Sequence, residues 1–258
     1  MKTVILCGGQ GTRIRDVSEN IPKPMIAIGR YPILWHIMNT YASANHSDFI
    51  LCLGHQSQVI KDFFINYHLR MADFTVELGS NTPAEIHSKH KEKNWQVTLV
   101  ETGQNAMTGA RVKKIKPYIK DDKYFMLTYG DGIGNIDIPK LIEFHKSHGK
   151  IVTVTGVRPP GRFGELEING DQVIGFNEKP QTSAGRISGG FFVCNISIFD
   201  YLNDDDGLVL EKTPLEQLAH EGELMVFRHD GFWHPMDTYR DYQLLNDLWD
   251  SGKAPWRI

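Results

Sequence analysis

The sequence predicts an α/β fold in which a mostly parallel central sheet is flanked by helices. Short apolar runs at 4–6, 48–53 and 124–128 have the length and composition of buried strands. Helix patterns lie between them, at 32–45 and near 108–119. Alternation of buried strands and helices is typical of parallel sheets that have helices on both faces. With 258 residues, the chain is long enough for one such domain with a substantial core.

Further elements fill the first half of the chain. Apolar residues recur at helical spacing from Ile60 to Tyr67, and strand patterns return at 73–78 and 95–100. Between these two strands, residues 79–94 form a polar, aperiodic insertion. It contains His87 and His90, but no third ligand stands nearby, so we expect a flap or a subunit contact there rather than a metal site.

The second half has more strands and closer turns. We predict strands at 151–157, 164–168, 172–177 and 187–194, followed by helices at 214–221 and 238–250. No linker divides the chain. We therefore expect a single domain, 1–258, whose two halves meet near residue 135.

The turn after the first strand has the composition of a phosphate site. Its glycines permit a tight bend and bring backbone N–H groups close to an anion. A hydroxyl, a guanidinium and an ammonium follow, each a donor for phosphate oxygens. The segment has neither the P-loop spacing nor the dinucleotide fingerprint, and an ordinary strand-to-helix turn is the alternative. The residues concerned are Gly8, Gly9, Gly11, Thr12, Arg13 and Lys23.

Two carboxylates are candidate magnesium ligands. Asp131 lies between two glycines at the end of the strand predicted at 124–128, and Asp237 directly precedes the helix predicted at 238–250. Mg²⁺ prefers hard oxygen donors together with substrate phosphates. The alternatives are a plain Asp-Gly turn for Asp131 and a helix N-cap for Asp237. In a parallel sheet, we expect Gly8 and Asp131 to lie at the same edge.

Other charged residues suggest an acceptor side. Glu178 and Lys179 leave a predicted strand and offer a carboxylate for hydroxyls and an ammonium for a phosphate, and Gly164 accompanies them. A solvated turn is the alternative for this Glu-Lys step. Arg111 lies near the start of the helix predicted at 108–119, where ligand groups gather.

Composition and charge exclude several classes of protein. The formal net charge of −3 argues against a nucleic-acid binder. No apolar stretch approaches 18 residues, so we expect no membrane association. The three cysteines, Cys7, Cys52 and Cys194, lie far apart in apolar runs, as expected for core residues in a reducing compartment. The cytoplasm is the expected location.

Together, these motifs resemble those of the sugar-1-phosphate nucleotidyltransferases. The resemblance covers nearly the whole chain and is strongest to the cytidylyltransferases of glucose 1-phosphate. It implies a Rossmann-like, GT-A-like nucleotidyltransferase fold, with a nucleotide-binding half at about 1–135 and an acceptor-binding half at about 136–258. It also implies the conversion of CTP and glucose 1-phosphate to CDP-glucose and diphosphate, with Mg²⁺ as cofactor, in a homo-oligomer. The motifs include GGQGTR, PKPM, YGDG, EKP, GGFFV and GFWHPMDT.

The resemblance also implies roles for individual residues. Arg13 and Lys23 would be catalytic, Asp131 and Asp237 would bind magnesium, and a third set would contact the acceptor, namely Gly164, Glu178 and Lys179. The nucleotide contacts would come from Leu6, Gly8, Gly9, Gly11, Thr12, Arg13, Arg111 and Gly130. Departures from the family pattern, such as Ser188 and His234, fall mostly on the acceptor side. Another small phosphorylated acceptor therefore stays open, as does a non-catalytic nucleotide-binding subunit.

Overall fold

A mixed, mostly parallel sheet forms the centre of the molecule. The computed structural model describes residues 1–10, 21–79, 83–88, 92, 94–119, 121–159, 165–169, 172–177 and 185–257. Within these residues the central sheet has eight strands, and helices cover both of its faces. The α/β class predicted from the sequence is confirmed.

The strands are numbered in chain order. The first eight are β1 (Thr3–Leu6), β2 (Ala27–Ile28), β3 (Tyr31–Pro32), β4 (Asp48–Leu53), β5 (Phe74–Thr75), β6 (Glu85–Ile86), β7 (Gln96–Glu101) and β8 (Tyr124–Tyr129). The others are β9 (Gly132–Gly134), β10 (Val152–Val157), β11 (Glu165–Asn169), β12 (Gln172–Asn177), β13 (Ile187–Ser188), β14 (Phe192–Asn195), β15 (Leu224–His229) and β16 (Trp233–Pro235).

The α-helices follow the same numbering. They are α1 (Ile33–Ser43), α2 (Ser57–Ile65), α3 (Tyr67–Met71), α4 (Thr108–Lys114), α5 (Lys116–Ile119), α6 (Ile138–His148), α7 (Thr213–His220) and α8 (Tyr239–Asp250). Short 3₁₀ turns lie at Lys23–Met25 and Ile196–Tyr201.

Parallel pairing brings four strand ends to one edge of the sheet. Strand β1 lies between β4 and β8, both parallel to it, and β4 pairs in parallel with β7. On the other side, β14 runs antiparallel to both β8 and β10, and β15 pairs in parallel with β10. The carboxyl ends of β1, β4, β7 and β8 therefore open onto the same edge.

The core lies on both faces of the sheet because successive strand side chains point to opposite faces. In β1, Ile5 belongs to a cluster with residues of α1, α6 and α8, whereas Val4 belongs to a cluster with residues of α4, α5 and α7. All residues of β1 are buried. Helix α1 is buried along most of its length, which explains its nearly continuous apolar sequence.

The strand predicted at 73–78 is largely wrong. Only β5 forms there, and it pairs antiparallel with β6 in a two-stranded sheet outside the central one. The apolar side chains of this segment stay exposed, with 90% of Leu78 accessible. A period of two residues indicates an extended chain, but it does not identify the sheet that the chain joins.

Two predicted elements are interrupted. The helix predicted at 108–119 divides into α4 and α5, because Pro117 has no N–H to donate to the preceding turn. The strand predicted at 187–194 divides into β13 and β14 at Gly190 and Phe191, whose φ angles are 73° and 49°. In the part of the chain that the structure describes, no helix combines the length and apolar character of a membrane span.

Candidate active site

A cavity of about 560 Å³ opens at the carboxyl-terminal edge of the sheet. Residues that follow β1, β7 and β8 form most of its wall, and its size suits a nucleotide or a cofactor. Gly8 and Asp131 both line it, as their positions after parallel strands predict. The other lining residues are Leu6, Cys7, Gly9, Gln10, Lys23, Pro24, Gln104, Asn105, Ala106, Met107, Thr108, Arg111, Tyr129, Gly130 and Asp237.

Lys23, Asp131 and Asp237 meet on one side of this cavity, and we call this group the Lys23 corner. The Lys23 ammonium contacts Oδ2 of Asp131 and Oδ1 of Asp237, each at 2.6 Å. Lys23 begins a 3₁₀ turn between Pro22 and the buried Pro24, which restricts the backbone from which it extends. Burial disfavours the charged ammonium, but the two carboxylates outweigh this effect and raise the pKa of Lys23 above its ordinary value.

A pair of short strands explains how two distant aspartates meet. Asp131 directly precedes β9, and Asp237 lies just beyond β16. These strands pair antiparallel, with Gly132 opposite Pro235, so the start of one lies beside the end of the other. The Met236 N–H also donates to the Asp131 carbonyl at 2.9 Å. Backbone pairing therefore holds the two carboxylates at one place.

The Lys23 corner has a donor set that fits a divalent cation. Two carboxylate oxygens converge on a single position, where the structure already accommodates the positive charge of the Lys23 ammonium. Mg²⁺ is commonly held by one or two carboxylates together with substrate phosphates and water. Among the described residues, no group of three or more His, Cys, Asp or Glu side chains is arranged to hold a metal. Ligand oxygens would therefore complete the coordination.

A second cation, which is buried, lies on the other side of the loop after β1. The Arg111 guanidinium donates to the carbonyls of Gly8 at 2.9 Å, Leu53 at 2.8 Å and Gly103 at 2.9 Å. It also donates to the Thr102 hydroxyl at 2.7 Å. We call these residues the Arg111 corner. Burial lowers the pKa of Arg111, which nevertheless stays charged at neutral pH.

The Arg111 contacts explain why residue 8 is a glycine, which the sequence alone did not reveal. A Cβ at Gly8 would lie 2.1 Å from Nη1 of Arg111, whereas a Cβ at Gly9 would meet no atom within 4 Å. Gly8 thus admits a guanidinium of the protein itself, and Gly9 faces open space. Arg111 also lines the cavity, and its predicted nucleotide contact stays a prediction. Its contacts tie Gly8, in the loop after β1, to residues at or beyond the ends of β4 and β7.

The turn that carries Asp237 is fixed by a further carboxylate. Asp241 accepts hydrogen bonds from His234 Nε2 at 2.9 Å and from the backbone N–H groups of Asp237 and Thr238 at 3.0 and 2.8 Å. Burial alone would raise the pKa of Asp241, but hydrogen bonds from His234 and Thr238 lower it to about 2. Asp241 is therefore a charged carboxylate beside the predicted metal ligand.

Several cavity residues were not singled out from the sequence. Tyr129 ends β8 and donates to Glu211, which also accepts from the Thr108 hydroxyl at 2.6 Å. Gln104 and Asn105 follow β7 and line the same wall. The rule that ligands bind beyond the carboxyl ends of parallel strands could have found the residues after β7. Nothing local in the sequence connects Glu211 with them.

Some predicted site residues lie outside the described part of the chain. These are Gly11, Thr12 and Arg13 of the predicted phosphate loop and Gly164, Glu178 and Lys179 of the predicted acceptor side. Their roles stay predictions. Of the described ones, Leu6, Gly8, Gly9, Lys23, Arg111, Gly130, Asp131 and Asp237 all line the cavity.

The family follows from comparison with known proteins. A model described as nucleotidyl transferase matches residues 2–242, a range that contains every described residue of the cavity. The chain belongs to this family. The matched range thus contains both the central sheet and the Lys23 corner at its edge.

Full-length relatives carry more specific names. The glucose-1-phosphate cytidylyltransferase of Salmonella typhimurium is 51% identical over 257 residues, covering 100% of this chain and 99% of that protein. A probable glucose-1-phosphate cytidylyltransferase of Bacillus subtilis is 41% identical over 258 residues and is covered completely. Among solved structures, HddC from Yersinia pseudotuberculosis shares the fold, with a TM-score of 0.70 at 24% identity over 96% of this chain and 99% of that one.

Proposed function

We propose that this nucleotidyltransferase transfers the cytidylyl group of CTP to glucose 1-phosphate, forming CDP-glucose and diphosphate. The observation that carries the proposal is the 51% identity, over the full length, to a glucose-1-phosphate cytidylyltransferase. The geometry supports nucleotidyl transfer, because an ammonium and two carboxylates meet in a cavity large enough for a nucleotide.

The reaction we propose is an in-line attack by the acceptor phosphate oxygen on the α-phosphorus of CTP. The bond from the α-phosphorus to the bridging oxygen breaks, and diphosphate leaves. The attacking oxygen is already negative, so no general base is needed. Catalysis then depends on alignment and on neutralisation of charge. Lys23 supplies a cation in the cavity, and Arg13 is proposed to supply a second one.

We infer that Asp131 and Asp237 hold Mg²⁺, which when bound screens the negative charge of the phosphates. In the structure, Lys23 contacts the same two carboxylates. The ammonium would therefore compete with a divalent cation for these two carboxylates. Displacement of the ammonium would free Lys23 to contact phosphate oxygens in the same cavity.

The acceptor side of the proposal rests on the sequence. Gly164, Glu178 and Lys179 would bind the sugar phosphate, in an acceptor-binding half that begins near residue 136. We also propose a homo-oligomer, supported by exposed apolar side chains that include Ile65, Phe74 and Leu78. Light scattering on the purified protein would measure its mass, and a monomer would contradict the homo-oligomer.

A matrix of nucleotides and acceptors tests the proposed function. Diphosphate release is measured for CTP, UTP, GTP, ATP and dTTP, each with a series of sugar and non-sugar phosphates. The expected result is the highest kcat/KM with CTP and glucose 1-phosphate. Preference for another phosphate with CTP would keep the cytidylyltransferase and change its acceptor. No release with any pair would contradict catalysis.

A further inference from the structure

The turn that carries Asp237 joins β16 to α8, and two different restraints hold it. On its first side, β16 pairs with β9, and the Met236 N–H donates to the Asp131 carbonyl. On its other side, the turn is tied to the first turn of α8 through Asp241. The position of the Asp237 carboxylate depends on both restraints.

Asp241 ties both ends of this turn to one carboxylate. Its Oδ1 accepts from Nε2 of His234, which lies within β16 before the turn. Its Oδ2 accepts from the N–H of Asp237 at 3.0 Å and from the N–H of Thr238 at 2.8 Å. A carboxylate only accepts, so Nε2 of His234 carries the proton in this contact.

Part of this network is an ordinary helix cap. Thr238 is the N-cap of α8, and its hydroxyl and backbone N–H form a capping box with Asp241. A capping box uses the N-cap residue and the residue three positions later. The hydrogen bonds from His234 and from the Asp237 N–H lie outside it. These two bonds restrain the turn that carries Asp237, and they do not cap the helix.

We propose that Asp241 is a positioning residue, which sets the place of the Asp237 carboxylate and is itself held by His234. This inference rests on the proposed function, because it concerns the metal that Asp131 and Asp237 would share. Some residues orient a metal ligand by hydrogen bonds without contacting the metal. Their removal commonly lowers metal affinity by about 10- to 100-fold. His234 and the Asp241 side chain are largely shielded from solvent, with 9% and 18% accessible, which favours a fixed contact.

The test compares variants of Asp241 with a variant of its cap partner. Asp241→Ala removes every hydrogen bond of the residue 241 side chain to the turn, whereas Thr238→Val removes the cap hydroxyl and leaves the His234 and Asp237 contacts. Asp241→Asn keeps one acceptor oxygen for the backbone N–H groups and offers a donor to the other tautomer of His234. Mn²⁺ binding is measured by calorimetry with CTP present and no acceptor, alongside the melting temperature and the half-saturating Mg²⁺ for turnover.

We expect Asp241→Ala to weaken Mn²⁺ binding at least about 10-fold and to raise the half-saturating Mg²⁺ equally. Asp241→Asn should restore most of this loss. Thr238→Val should lower the melting temperature by about 2–4 °C and leave Mn²⁺ binding unchanged. Equal Mn²⁺ binding in wild type and Asp241→Ala would overturn the inference, and so would an equal loss in Thr238→Val.

His234 provides a second test that is independent of the cap. His234→Leu removes one donor to Asp241 and should weaken Mn²⁺ binding severalfold, while His234→Gln supplies an amide donor and should restore it. Mn²⁺ binding unchanged in His234→Leu would remove His234 from the inference. If wild type neither binds Mn²⁺ nor needs a divalent cation, the proposed metal site fails as well. If the wild type needs the metal and the variants bind Mn²⁺ as tightly as it does, only the positioning role is contradicted.

Discussion

The Lys23 corner and the Arg111 corner lie on one cavity, and each contains a cation, partly buried for Lys23 and buried for Arg111, but their partners differ. Lys23 contacts two carboxylates, so its corner carries a net negative charge of one when all three groups are ionised. The four described acceptors of Arg111 are three backbone carbonyls and a hydroxyl, all neutral. The Lys23 corner therefore favours a further cation, whereas Arg111 donates only to neutral groups among its described hydrogen-bond partners.

This difference separates two uses of a cation. The Lys23 ammonium is held by charge, so we expect that another cation could take its place between the carboxylates. Arg111 is held by the geometry of carbonyls at the ends of several strands, and a metal ion offers no hydrogen-bond donors to replace it. We propose that Lys23 is the exchangeable cation of this cavity, whereas Arg111 is a fixed cation that ties the Gly8 carbonyl to those of Leu53 and Gly103.

Replacement of Lys23 should have the largest effect. In Lys23→Met, turnover should fall by about 10²- to 10³-fold, the usual loss when one preorganised charged donor is removed. Binding of Mn²⁺ without nucleotide should become tighter, because the competing ammonium is gone. Steady-state kinetics and calorimetry measure the two effects.

Lys140→Met is the matched control for this variant. Lys140 also contacts an aspartate, Asp137, at 2.8 Å, but its side chain is 72% accessible and lies outside the cavity. It should leave both turnover and Mn²⁺ binding unchanged. Turnover of Lys23→Met within a few-fold of wild type would contradict the catalytic role of Lys23.

The main effect of replacing Arg111 should be a lower stability of the fold. Arg111→Leu removes four buried hydrogen bonds, and only the Gly8 and Leu53 carbonyls have further described donors, in His55 and Thr102. We expect a loss of about 3 kcal/mol in the free energy of unfolding. Urea denaturation measures it. Arg158→Leu is the control, since Arg158 pairs with Asp230 near the surface and should cost less than about 1 kcal/mol. Equal losses would show that Arg111 does not brace the loop.

Alanine at the two loop glycines should separate bracing from binding. Gly8→Ala places a methyl group on the Arg111 guanidinium and should cost about 1–3 kcal/mol of stability. Gly9→Ala meets no neighbouring atom, so its free energy of unfolding should change little. If nucleotide phosphates approach Gly9, its alanine variant should instead raise the KM for CTP. Similar stability losses in the two variants would contradict the contrast between them.

The sequence predicted the edge of the sheet more completely than it predicted the contacts there. Buried runs such as 4–6 and 124–128 identified β1 and β8, and the strand-end rule then located Gly8 and Asp131. The pairing of β9 with β16 was not predicted, because each has only three residues and about 100 positions separate them. Local patterns carry no information about such a pairing. The expectation that Asp131 and Asp237 bind one magnesium came from their chemistry and from the family resemblance.

Arg111 shows a second limit of sequence reasoning. Its position near the start of a helix suggested a ligand contact, but burial against carbonyls of β4, of the segment after β7 and of the loop after β1 depends on the packed sheet. The exposed segment 73–78, where only β5 forms, is a second example. An extended pattern was correctly read at Phe74 and Thr75, yet the partner strand could not be read from it.

The position of a bound metal shows directly whether a divalent cation replaces the Lys23 ammonium between Asp131 and Asp237. A crystal structure with CTP and Mn²⁺ but no acceptor would locate the ion by its anomalous signal. We expect one Mn²⁺ contacting Asp131 and Asp237 together, with Lys23 turned from both carboxylates toward the phosphates. An ion bound elsewhere, with the Lys23 ammonium still between the two carboxylates, would contradict this expectation.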